Sequence, residues 1–138
     1  MQAELQKYIE AEQLFNISSE RVIIAVSGGV DSIVLSFLLK ELQADIALAH
    51  CNFMLRGKMS DEDEQFVKDF AQSIGVPFYN TRLATAALAK VRKTSIQVVA
   101  RDLRYAWLED LRMQHNYHYI ATAHHWNDSI ETALYNFT

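Results

Sequence analysis

The segment VSGGVDS, residues 26–32, places two serines, two adjacent glycines and an aspartate between the apolar runs RVIIA and IVLSFLLKEL. The first run reads as a buried strand and the second as a helix, so the glycines fall in a strand-to-helix turn. Such a turn exposes unpaired backbone N–H groups and the positive end of the helix dipole. Glycine there lets the chain curl and approach an anion closely, which suits phosphate. The hydroxyls of Ser27 and Ser32 can donate to phosphate oxygens. Asp31 cannot, being an anion beside an anion, and it makes sense where a Mg²⁺ bridges it to the phosphates. The spacing is neither GxxxxGK[ST], whose lysine is absent, nor GxGxxG. The plain alternative is a turn in which Ser27 or Asp31 caps the helix.

Three more stretches carry chemistry-bearing residues. AHCNFMLRG (49–57) starts where a second strand should end, the place at which open α/β sheets hold ligands. His50 and Asn52 can point toward a site there, and Arg56 sits in a loop opened by Gly57; a polar loop with a solvated arginine fits equally well. SIQVVARDLRYAWLEDL (95–111) reads as a helix capped by Ser95, with Gln97, Arg101, Arg104 and Tyr105 on one face. That stripe suits phosphate or nucleobase contact, although salt bridges to Asp102 or Glu109 would also account for it. ATAHHWNDSIET (121–132) follows a fourth strand. Asp128 and Glu131 can face the same way on an opening helical turn, but D-x-x-E is also a capping box. His124 and His125 stand beside it without a pattern of zinc ligands.

The elements that hold these segments follow from the apolar pattern. Strands are predicted at 22–26, 45–51, 76–81 and 117–123, and helices at 31–42, 61–74 and 95–115, the second of them ended by Gly75. Continuous apolar strands alternating with helices predict a doubly wound, Rossmann-like parallel sheet with helices on both faces. The pattern IETALYNFT reads as a helix, so the sheet would be cut short before its last strand. At 138 residues the chain has single-domain size, and 50% hydrophobic with 22% charged residues is a soluble globular balance. No apolar run is long enough to span a membrane. MQAELQKYIEAEQLF is acidic and amphipathic, unlike a secretory signal, which leaves the cytoplasm as the expected compartment. A single cysteine, Cys51, rules out an internal disulfide or a CxxC site. The net charge of −4 means that any nucleic-acid partner must be held by local basic residues or by sequence outside this chain.

The S-G-G-x-D-S pattern resembles the PP-loop of the ATP pyrophosphatase family, whose members cleave ATP between the α- and β-phosphates. Together SGGVDS, HCNFMLRG, SIQVVARDLRYAW and ATAHHWNDSIET resemble, in order and spacing, the N-terminal catalytic domain of the tRNA(Ile)-lysidine synthetase family, from about residue 21 onward. The resemblance implies that residues 1–138 are an ATP-binding catalytic domain, a fragment without the C-terminal tRNA-binding domains. It implies ATP and Mg²⁺, free L-lysine, the anticodon loop of an isoleucine tRNA as partner and no membrane, and it leaves the oligomeric state open, a homodimer included. Carried over, Ser27, Gly28, Gly29, Val30 and Ser32 hold the pyrophosphate portion, with Asp31 on the metal. Ala25, His50 and Asn52 border the nucleotide. Arg56, Arg101 and Arg104 stabilise phosphate charge or meet the tRNA, and Asp128 and Glu131 receive the lysine ammonium. The family's RGTG segment does not occur in the chain. Two other readings stay open: a PP-loop tRNA thiolase, which commonly needs paired cysteines, and a non-catalytic nucleotide-binding module of related fold.

Overall fold

Val22, Ile23 and Ile24 are wholly buried, as a strand covered on both faces must be. The computed structural model describes residues 2–11, 16–27, 29–123 and 132–135. In chain order the elements are α1 (Gln2–Ala11), β1 (Arg21–Ala25), α2 (Val30–Glu41), β2 (Asp45–Asn52), α3 (Lys58–Ile74), β3 (Phe78–Arg82), α4 (Thr85–Arg92), α5 (Ile96–Gln114), β4 (Tyr119–Ala123) and β5 (Thr132–Tyr135). The sheet order is β3-β2-β1-β4-β5. The first four strands are parallel, which is the predicted doubly wound, Rossmann-like sheet.

Strand alternation divides the core. Val22, Ile24, Ile46 and Leu48 pack with Leu35 and Leu39 of α2 and with Val67 and Ala71 of α3. Ile23, Ala25, Ala47 and Ala49 face the other way, against Leu108 and Leu111 of α5. Gly75 closes α3 at φ 70°, as the sequence pattern predicts, because the left-handed C-cap favours a residue without Cβ. None of the helices among the described residues is long and apolar enough to cross a membrane.

Two differences from the sequence pattern stand out. α4 is a separate short helix that the pattern does not announce, since TAALAKVR has no side-chain cap at its start. β5 is a strand where IETALYNFT predicts helix, pairing antiparallel with β4 from Ala123↔Thr132 to Ile120↔Tyr135. A four-residue stretch with a β-branched and an aromatic residue fits a sheet edge as readily as a helical turn, and the available edge of β4 decides between them.

Candidate active site

β1 ends between two neighbours: Ala25 pairs with Ala49 of β2 on one side and Thr122 of β4 on the other. The chain leaves β1 toward β2 on one side, and β4 arrives on the other, so the SGGVDS turn lies at a topological switch point. Gly29 is the N-cap of α2 with φ −75° and ψ 163°, and no side chain caps the helix. Gly29, rather than Ser27 or Asp31, holds the N-cap position, and its lack of a side chain leaves room for an anion at the first turn of α2. Gly29 needs no special backbone freedom here, and a Cβ would meet only Ser27 Oγ at 3.5 Å. What the glycine provides is open space above its amide. Ser27 is exposed, Val30 is 76% exposed, and Asp31 is partly buried in the first turn of α2. Ser32 is buried, and its hydroxyl donates to the Gly29 carbonyl at 3.4 Å. Gly28 lies outside the described residues.

Beside this turn is a cavity of about 210 Å³, bordered by Ala25, Ser27, His50, Cys51, Arg56 and Arg104. Alanines at positions 25 and 49, facing α5, leave the space that larger side chains would fill. His50 is buried, and its Nδ1–H donates to the Val26 carbonyl at 2.7 Å, which fixes the ring relative to the turn. Burial pushes the Cys51 thiol up to about 12, with the Arg104 charge acting weakly in the other direction. Cys51 is thus a protonated thiol at neutral pH rather than a nucleophile.

The loop after β2 is held by α3. Asn52, 1% exposed, donates to Asp61 at 3.0 Å and Glu64 at 3.1 Å, and its Oδ1 accepts from Met54 N at 2.9 Å. That last bond holds Met54 in the left-handed region at φ 58°. Gly57 follows at φ 52° and ψ −118°, a conformation that favours glycine, and α3 begins directly after it. Arg56 extends over the cavity rim and pairs with Asp63 at 2.7 Å, while its backbone N donates to Ser60 Oγ at 3.1 Å. Glu64 also binds Arg82 through both oxygens, at 3.1 and 2.9 Å. These bonds hold its carboxyl down at about 2, the Arg82 hydrogen bond being the largest cause. Sequence reasoning missed this anchor. Its signal was SDEDE, four carboxylates in succession that begin four residues after LRG.

On the opposite side Ser95 caps α5, accepting from Val98 N at 3.2 Å as expected. Arg101 lies over the Tyr105 ring, 5.7 Å from its centroid, and Arg104 borders the cavity. The salt-bridge alternative fails for Glu109, which holds Arg112 at 2.9 Å, and among the described residues neither Arg101 nor Arg104 has a carboxylate partner. Gln97 is exposed further back on the same helix. Asp128, Glu131, His124 and His125 lie outside the described residues. Among the described residues no group of three or more His, Cys, Asp or Glu could hold a metal ion.

The model of the PP-loop domain family matches residues 1–138. The chain belongs to the PP-loop family. Among its relatives is a tRNA(Ile)-lysidine synthase from Bacteroides thetaiotaomicron, 40% identical over 99% of this chain and 32% of the relative. Another of the same name, from Parabacteroides distasonis, is 42% identical over 96% of this chain and 30% of the relative. The PP-loop chain therefore spans about a third of the length of these curated relatives. Among solved structures, the NH3-dependent NAD synthetase from Campylobacter jejuni superposes with a TM-score of 0.63 at 17% identity, covering 86% of this chain and 53% of that one. That likeness concerns the fold and agrees with the parallel sheet described above.

Proposed function

We propose that residues 1–138 form the N-terminal catalytic domain of a longer enzyme that ligates lysine to C2 of the wobble cytidine in an isoleucine tRNA, converting ATP to AMP and pyrophosphate. The observation that carries this reading is the convergence of Ser27, His50, Arg56 and Arg104, drawn from three separate sequence motifs, on one cavity beside the uncapped N-terminus of α2. The names of the relatives supply the particular chemistry.

In the first step cytosine O2 bonds to the α-phosphorus as the bond to the bridging oxygen breaks, and pyrophosphate leaves. The N–H groups at the start of α2, with Ser27 and Ser32, hold the departing phosphates, and Ser32 exchanges its long bond to Gly29 for a phosphate oxygen. Arg56 and Arg104 stabilise the charge that accumulates on the phosphoryl oxygens. Asp31, in the first turn of that helix, is the residue that would hold a Mg²⁺, which would supply neutralisation of phosphate charge there. In the second step the lysine amine attacks C2, AMP departs, and the amine loses its protons. Asp128 and Glu131 hold the ammonium, and one of them accepts a proton, since an amine with a pKa near ~10.4 is almost wholly protonated at neutral pH. Burial that keeps the Cys51 thiol protonated speaks against Cys51 as a sulfur carrier.

The test is to incubate the full-length protein with ATP, isoleucine tRNA transcript and labelled lysine. Lysine incorporated in equal amount with AMP and pyrophosphate is expected. ADP as the product, or AMP formed without label entering the tRNA, would refute the reading.

A further inference from the structure

The chain carries 13 lysines and arginines and a net charge of −4, yet its cations are not evenly placed. Arg21, Arg56, Lys58, Arg82 and Arg112 are each tied to a carboxylate. Lys90, Arg92, Lys93, Arg101 and Arg104 have no such partner among the described residues, and they fall within residues 90–104, where Asp102 is the one acid. Three of them close α4, and every residue from 90 to 98 is exposed. Val91 is 78% exposed among them, so among the described residues this turn is left largely uncovered. The cations then continue along α5. Arg101 follows the turn and Arg104 reaches the cavity, about 14 Å along the helix from Ser95 at ~1.5 Å per residue.

Lys90, Arg92 and Lys93 are not among the residues that border the cavity, so a ligand meeting both them and the cavity must be extended. We propose that the α4–α5 elbow, Lys90, Arg92 and Lys93 with Arg101 leading from them to the cavity, grips the phosphate backbone of the RNA whose base enters the site. The inference rests on reading the cavity as a tRNA-modifying site. Charge complementarity favours RNA: this track carries five cations against one carboxylate, whereas the chain as a whole has a net charge of −4. The same cations also suit the C-terminal end of the α4 dipole, and the test separates the two roles.

The variant is K90Q/R92Q/K93Q in the full-length protein. Glutamine removes the charge while keeping an unbranched polar side chain and, at Lys93, which sits at φ 55°, roughly the same backbone strain. Transfer RNA binding is measured by fluorescence anisotropy across a KCl series, with ATP binding measured in parallel. Each phosphate contact contributes about 0.7–0.9 to the slope of log K against log salt. The variant should therefore lose about 2–3 from that slope and bind tRNA roughly 10- to 100-fold more weakly near 0.1 M KCl. ATP affinity should stay within about twofold, and K90R/R92K/K93R should keep the wild-type slope. An unchanged slope and tRNA affinity would overturn the proposal. So would a lowered melting temperature with the slope intact, which would assign the cluster to the helix dipole or to packing within the protein. The two readings fail separately: a slope lost in a protein that makes no lysidine leaves the RNA surface standing and removes the proposed reaction, whereas lysidine made with an unchanged slope removes only the surface.

Discussion

On the α3 side of the cavity the polar groups are occupied by the protein itself, whereas on the α2 and α5 sides several await a ligand. Asn52 has bonds to Asp61, Glu64 and Met54 N, Glu64 binds Arg82, and Arg56 binds Asp63. Across the cavity the N-terminus of α2 has no side-chain cap, and Arg104 borders the space without a carboxylate partner among the described residues. Buried polar groups that satisfy one another fix geometry, and the same groups left open are what bind. Arg56 belongs to both sides: its ion pair is largely solvent-exposed, 60% at the arginine, so the contact with Asp63 is weak enough to yield to a phosphate.

The sharpest way to break this contrast is on the open side. Asp31→Asn should leave the fold in place, because the change is nearly isosteric and the first-turn charge contributes about 0.3–1 kcal/mol through the helix dipole. Tm should fall by no more than a few degrees. AMP formation with tRNA should fall on the order of 10²- to 10³-fold, the cost of removing one preorganised charge from a phosphoryl-transfer site. A folded variant with near wild-type pyrophosphate release would return Asp31 to the role of an ordinary helix residue.

How much of this was legible in the sequence differs on the two sides for a physical reason. The open side is local: SGGVDS joins a strand to a helix over six residues, and Ser95 with its arginine stripe lies on one helix, so spacing alone predicts both. The anchored side is assembled from distant residues. Asn52 reads as a ligand neighbour because it ends a strand at the right edge, and nothing in its own surroundings reveals that Asp61 and Glu64, one and two turns into the next helix, use its amide. Arg82 enters from a third strand, and no local period links it to Glu64. The same limit applies to β5, where TALY has no preference strong enough to announce a strand until β4 offers it an edge. α4 escaped because a two-turn helix without a side-chain cap has little periodicity to detect.

The anchored side should respond oppositely to substitution. Asn52→Ala leaves Met54 N and two carboxylates short of a partner, at a cost of about 1–3 kcal/mol. The expected fall in Tm is roughly 3–10 °C, while ATP affinity measured well below Tm stays within about threefold. Were ATP affinity to collapse in a variant of nearly unchanged stability, Asn52 would be a direct nucleotide contact and the contrast between the two sides would dissolve.

The smallest effect tests whether charge maintains the anchor. The Glu64 carboxyl sits at about 2 instead of 4.5, chiefly through its hydrogen bond from Arg82, with Asn80 and Asn52 adding to the shift and burial opposing it. A group whose pKa is lower folded than unfolded contributes stability above its unfolded value and loses it as the pH falls through the folded value. The contribution of Glu64 should therefore be constant from neutrality to about pH 5 and disappear between pH 4.5 and 2. Glu64→Gln lacks the titrating group, so the Tm advantage of the wild type over it should hold near pH 7 and shrink across that window. The advantage is a few degrees at most, because Arg82 is 55% exposed and water screens the pair; about 1 M salt at pH 7 should reduce it further. An advantage that persists at pH 2 would mean that Glu64 acts through shape or neutral hydrogen bonding. One that changes with pH while the KM for ATP does not would mark Glu64 as a support for the β2–α3 loop rather than a contact to the nucleotide.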